Sequence, residues 1–198
     1  MPCSRNIIQS TEPFGPPERR AELREVWRRN EGLFDRYTNF DGRPNFAELF
    51  AMCLPDHINI ICNADIYFDA QALRHIRQFY AEGNDHVVMC LSRWDILPDG
   101  TSKLWDHADS ADTWVVKGGP HVIPSEFPMG KAGCDNRLAH DLQQAGYLTT
   151  NPSKTIQTFH LHRVNYRSYL VDPTGIARGG NKIERIPPPY AFCAPTEL

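Results

Sequence analysis

"HINIICNADIYFDAQALRHI", residues 57–76, changes periodicity partway along. Ile58, Ile60, Ile61 and Cys62 form a short, nearly continuous apolar run, the pattern of a strand covered on both faces. From about 70 to 82, Leu73, Ile76, Phe79 and Tyr80 recur at helical spacing, and Gly83 stops the pattern. The stretch therefore predicts a buried strand over 57–63, a turn through Asn63, Ala64 and Asp65, and then a helix. A strand feeding a helix in this way is the building unit of an α/β sheet.

The same alternation extends in both directions. "HVVMCLSRW" (86–94) reads as a second buried strand and "DTWVVKG" (112–118) as a third. "DNRLAHDLQQAGY" (135–147) reads as a helix, with Leu138 and Leu142 on one face and Gly146 past its end. "TIQTFHLHR" (155–163) reads as a late strand. Upstream, residues 5–10 read as a short first strand, and "PPERRAELREVWRRN" as a helix opened by Pro17 with Leu23, Val26, Trp27 and Asn30 on one face. "NFAELFAMCL" (45–54) is a second short helix, whereas residues 31–45 and 96–111 are polar and read as loops. The expected architecture is a single α/β domain with a mostly parallel central sheet flanked by helices, over residues 1–171. A Pro- and Gly-rich tail, 172–198, is expected to be irregular, as a lid.

Composition narrows the function class. The chain has 198 residues, 41% of them hydrophobic, enough for one domain with a real core. Its net charge is -3 and its pI about 6.2, so no global basic field recruits nucleic acid, which is an improbable partner except as an acceptor. No stretch approaches the roughly 20 apolar residues of a membrane span, and the N-terminus carries no secretory core, so a cytoplasmic location is expected. The cysteines (Cys3, Cys53, Cys62, Cys90, Cys134 and Cys193) make no CxxC pair, which argues against a zinc ribbon and for a reducing compartment.

In open α/β sheets, ligands collect outside the carboxyl ends of the strands. Asn63 and Asp65 stand at such an end, two residues apart, so that their side chains project to one side. An oxygen-rich pair there suits a hard divalent cation, Mg²⁺ or Mn²⁺. Asp69 precedes the helix and has the simpler explanation of an N-cap. His160 and His162 alternate with Phe159 and Leu161, which puts both imidazoles on one side with Cβ atoms about 6 to 7 Å apart, as candidate metal ligands. Gly130 and Gly133 allow a sharp turn before Asp135, which is open to two explanations: an N-cap, or a carboxylate held at the rigid end of a helix as a general base.

Taken together and in order, "IICNADIYFD", "SADTWVVK", "GCDNRLAHDLQQAGY" and "NPSKTIQTFHLH" resemble the glycosyltransferase-like proteins of the GT-A fold. The resemblance covers roughly residues 46–170 and, more loosely, the helix after Pro17. It implies a nucleotide-sugar donor whose diphosphate is held by a divalent cation on a DxD-type triplet, here Asn63-Ala64-Asp65, with Asn in the first position. Asp65 would then be the metal-binding carboxylate, with His160 or His162 as the late ligand, Mn²⁺ or Mg²⁺ as cofactor, and Asn63 beside the donor. Asp135, Leu138, Leu142, Gly146 and Tyr147 match a recurrent D-x-x-L-x-x-x-L-x-x-x-G-Y pattern whose acid is the catalytic base of inverting enzymes. Asp112, with Trp114 and Asn136, would contact the acceptor, a carbohydrate or other hydroxyl compound. Arg178, Lys182 and Arg185 in the tail would cover the donor phosphates. The polar stretch 31–45 makes the base-binding half look abbreviated. Two other activities fit the same residues: a metal-dependent phosphohydrolase using Asp65, Asp69, Asp112 and the two histidines, and an inactive sugar-nucleotide or carbohydrate binder.

Overall fold

A computed structural model describes residues 4–40, 42–164, 166 and 185–198. The strands are β1 (Ser4–Ile8), β2 (Arg36–Thr38), β3 (His57–Cys62), β4 (Ile66–Tyr67), β5 (Val87–Leu91), β6 (Trp94–Ile96), β7 (Ser102–Leu104), β8 (Thr113–Lys117), β9 (Leu148–Thr150) and β10 (Phe159–His160). The helices are α1 (Pro17–Asn30), α2 (Phe46–Ala51), α3 (Ala70–Ala81) and α4 (Cys134–Gln144). The main sheet is six-stranded, in the order β2-β1-β3-β8-β5-β9, and a smaller sheet runs β4-β10-β6-β7.

The main sheet is mixed. β1 pairs in parallel with β2 and β3, and β5 with β9, but β8 lies antiparallel between β3 and β5. That reversal has a consequence for the site. An antiparallel strand begins where its neighbours end, so the start of β8 lies at the carboxyl ends of β3 and β5. The Asn63 N–H donates to the Asp112 carbonyl at 3.1 Å, and the Asp112 N–H to Leu91 at 3.0 Å.

The apolar strands are covered on both faces, as their runs predict. Ile61, Val88, Cys90, Trp114 and Val116 pack with α2 and α4 through Phe46, Leu49, Phe50, Leu138 and Leu142. Ile58, Ile60, Cys62, Met89 and Val115 pack with α3 through Leu73, Ile76 and Tyr80. Tyr80 sits fully inside because its hydroxyl has a partner, donating to the carbonyls of Val87 at 2.9 Å and Val115 at 2.7 Å.

Several local expectations are corrected. The stretch 31–45 is not all loop: Arg36–Thr38 adds an edge strand beside β1. The stretch 96–111 contains β7, which forms a hairpin with β6. The buried run at 86–94 is two strands, because Ser92 leaves the ladder and its N–H bonds the Asn151 side chain at 3.2 Å. The late strand over 155–163 shrinks to Phe159–His160. Strands of two or three residues are too short to carry a readable period. The tail from Arg185 to Leu198 is irregular but packed as a strap: Arg185 bridges to Ala132, Ile186 is buried in the core, and Ala191, Cys193 and Thr196 donate backbone bonds to Asn136, Ala108 and Asn151. Arg178 and Lys182 lie outside the described residues.

Candidate functional site

A cavity of about 420 Å³ opens outside the carboxyl ends of β1, β3 and β5, and is lined by Asn63, Asp65, Arg93, Asp112, Asp135, His160 and His162, among others. Local structure brings each to it. Gln9 donates to the Asn63 carbonyl at 2.9 Å and to the Ile66 carbonyl at 2.8 Å. The buried Asn30 amide bonds Gln9 and Ile66 at 3.0 Å, and its oxygen takes the Phe68 N–H at 3.1 Å. These buried amides fix the turn that projects Asp65. β10 then docks antiparallel on β4 with His160 opposite Ile66, and the Leu161 N–H donates to the Asp65 carbonyl at 3.0 Å. His160 and His162 are thereby turned onto Asp65.

The result is a compact ligand set. Asp65, His160 and His162 offer ligand atoms that all lie within 4.8 Å of one another. His160 Nε2 is 3.2 Å and His162 Nδ1 3.3 Å from Asp65 Oδ2. Parallel pairing of β10 with β6 sets Asp95 beside His160, and His160 Nδ1 lies 2.6 Å from Asp95 Oδ1. A carboxylate on the far nitrogen of a histidine is the arrangement that orients metal-bound imidazoles. His162 Nε2 is buried without a hydrogen-bond partner among the described residues. On donor chemistry, these residues suit a divalent ion that accepts nitrogen and oxygen ligands. Arg19 shares the site: its guanidinium, 2% exposed, bonds Asp65 Oδ2, Glu22 at 2.8 Å and the Leu161 carbonyl at 2.9 Å.

Charge interlocks the cluster. Burial favours a neutral Asp65, but the charge and hydrogen bond of His160, the bond from His162 and the charge of Arg19 outweigh it and hold the carboxyl well below its usual range. Burial likewise opposes charge on His160, yet Asp65 and the bond to Asp95 lift it to about 9. Arg93 bridges the remaining carboxylates, with Nε 2.9 Å from Asp95 and Nη1 3.0 Å from Asp112. The Asn63 amide donates to the other oxygen of Asp112 at 2.8 Å. An aspartate at position 63 would instead set a second carboxylate against Asp112, which accounts for the Asn.

Asp135 stands at the other wall. It is not the cap of α4; the N-cap is Gly133, at φ 78°, and Asp135 lies in the first turn, partly exposed to the cavity. A side chain at 133 would adopt a left-handed backbone and place Cβ 3.0 Å from the Tyr190 hydroxyl, so glycine is needed there. Burial, then the nearby Asp112 charge, raise the Asp135 carboxyl to about 7, against the Cys134 thiol bond, the Ala111 backbone and the Arg93 charge. A carboxyl that titrates near neutrality can exchange protons at physiological pH.

Other expected site residues lie elsewhere. Trp114 is fully buried, edge-on to Phe46 at 4.8 Å between ring centres, and belongs to the core rather than to an acceptor site. Asn136 is not among the residues that line the cavity, is 8% exposed, and its carbonyl anchors Ala191 of the strap. Asp69 caps α3, accepting from the Ala72 N–H at 2.7 Å, and borders a separate polar cleft with His75, Lys154 and Glu197. Arg185 does line the main cavity. Arg19, Arg93 and Asp95 were not expected. Arg19 had a readable signal, since it precedes Leu23 by four and Val26 by seven on the apolar stripe of α1; Asp95 sits in a strand too short to read, and Arg93 in the link just before it.

No protein-family model, curated protein or solved structure matches the chain. No helix among the described residues is long and apolar enough to cross a membrane.

Proposed function

We propose that the cavity transfers a sugar from a nucleotide-diphosphate donor to an acceptor hydroxyl, with inversion at the sugar carbon. The observation that carries this reading is the pairing, in one cavity, of the Asp65–His160–His162 cluster with a carboxyl at Asp135 that titrates at about 7. Glycosyl transfer needs these two capacities apart from each other: charge stabilisation at the leaving group and a proton acceptor at the incoming hydroxyl.

Asp65, His160 and His162 would hold the cation. When bound, Mn²⁺ or Mg²⁺ supplies positive charge to the departing diphosphate. Asp95 holds His160, and Arg19 balances Asp65. Arg185, on the strap, adds a cation at the cavity wall. Asp135 accepts the acceptor's proton as its oxygen bonds the sugar carbon from the face opposite the diphosphate. Asp112, bonded by Asn63 and Arg93, raises the affinity of Asp135 for that proton.

The test is a thermal-shift screen of nucleotide sugars with Mn²⁺, followed by transfer assays on the donor that binds. A bound donor raises apparent stability by mass action. Wild-type protein is expected to transfer sugar and Asp135→Asn to bind the donor without transferring it. Binding without turnover in the wild type would instead mark a sugar-nucleotide binder, and release of inorganic phosphate without an acceptor a phosphohydrolase.

A further inference from the structure

A pair of thiols lies outside the cavity lining, where the C-terminal strap crosses the sheet. Cys90 on β5 shares with Val88 the face packed against α4. β9 pairs in parallel with β5 up to Met89 opposite Thr150, so the next residue, Asn151, runs beside Cys90. The Asn151 side chain donates to the Cys193 carbonyl at 2.8 Å, and the Cys193 N–H donates to the Ala108 carbonyl at 3.0 Å. Those bonds hold Cys193 over the β5–β9 seam, where its side chain packs on the cluster that contains Cys90. Each thiol lies close enough to shift the titration of the other. Cys90 is buried and Cys193 partly exposed.

We propose that Cys90 and Cys193 form a peroxide-responsive dithiol, whose oxidation to a disulfide fastens the C-terminal strap to β5. The asymmetry of the pair assigns the steps. The interaction with Cys90, against burial, lowers the Cys193 thiol to about 7, so at neutral pH this sulfur is substantially thiolate. The same interaction and burial push Cys90 well above its usual value. The Cys193 thiolate attacks one peroxide oxygen; the O–O bond breaks, and the other oxygen leaves as water after taking a proton. Cys193 is then a sulfenic acid. Cys90 sulfur attacks it, the S–O bond breaks, and hydroxide leaves with the Cys90 proton as a second water. Two thiols lose two electrons, hydrogen peroxide gains them, and two waters form.

The strap so fastened is the segment that braces the start of α4, through Ile186 on Ala132 and Ala191 on Asn136. The inference does not depend on the sugar-transfer reading.

The experiment uses the full chain, reduced, freed of reductant and treated with hydrogen peroxide at up to a few equivalents. Free thiols are alkylated and the protein is digested without reduction for mass spectrometry. The expected main product is a Cys90–Cys193 linked peptide, 2 Da lighter than its two parts and released by dithiothreitol, with a melting temperature several degrees above the reduced chain. In Cys90→Ser, Cys193 should persist as a sulfenic acid trapped by dimedone. Survival of both thiols, a link from Cys193 to another cysteine, or sulfinic acid at Cys193 with Cys90 still alkylatable in the wild type would overturn the proposal.

Discussion

Asp135 and Asp65 are both aspartates at the mouth of one cavity, yet their surroundings drive them in opposite directions. Asp65 is ringed by His160, His162 and Arg19 and stays charged. Asp135 is desolvated beside Asp112 and takes up a proton at about 7. Two consequences follow for Asp135. A base works only unprotonated, so transfer should rise with pH through about 7 and level off above it; Asp135→Asn should lower the rate by about 10²- to 10⁴-fold and abolish that rise. The stability effect has the opposite sense. A carboxyl whose pKa is higher folded than unfolded binds protons more tightly in the native state, so its contribution to stability declines as pH climbs from about 4 to about 7. Asp135→Asn should therefore gain stability relative to wild type between pH 5 and pH 8, measured by urea unfolding at each. Asp65→Ala should do the reverse: it removes the carboxylate that lies between the buried Arg19 and His160, and should cost about 3 kcal/mol or more in the same assay.

Between residue and site stand a few elements that convert pattern into position. The reversed strand β8 brings Asp112 to Asn63, and the two-residue strand β10 brings both histidines to Asp65. The helices and the buried strands β3, β5 and β8 were legible because their apolar residues recur over enough positions to show a period. β10, β4 and β6 were not, since strands this short are specified by their partners across the sheet. Thus Asp65 and Asp135 could be picked out by their places at element ends and the histidines by their alternation with Phe159 and Leu161, while Asp95, which reaches the site only through strand register, could not. Trp114, assigned to the acceptor by the resemblance, lies on the face of β8 that packs against Phe46 of α2. The turn into α4 gives a sharp element-level prediction. Gly133→Ala forces a left-handed alanine against Tyr190 and should destabilise the chain by about 1–2 kcal/mol in denaturant titration. Because Asp135 rides on that turn, sugar transfer should fall further than stability does.

Across the molecule, a band of alternating charge runs behind and along the cavity: Glu22, Arg19, Asp65, His160, Asp95, Arg93 and Asp112, each within bonding reach of the next. Such a chain fixes side chains in a desolvated site, where each group left unpaired would be costly. Arg93 ties Asp112 to Asp95, so Arg93→Lys, which cannot span both carboxylates with a planar fork, should weaken transfer while leaving the fold intact by circular dichroism. The central claim is that Asp65, His160 and His162 grip a divalent cation at this band. Calorimetric titration of Mn²⁺ into the wild type and into His162→Ala, each with and without a nucleoside diphosphate, tests it most directly. The account predicts one Mn²⁺ per chain, bound more tightly when the diphosphate is present, and a loss of about tenfold or more in His162→Ala. No Mn²⁺ binding by the wild type, or equal affinity in the two proteins, would contradict it.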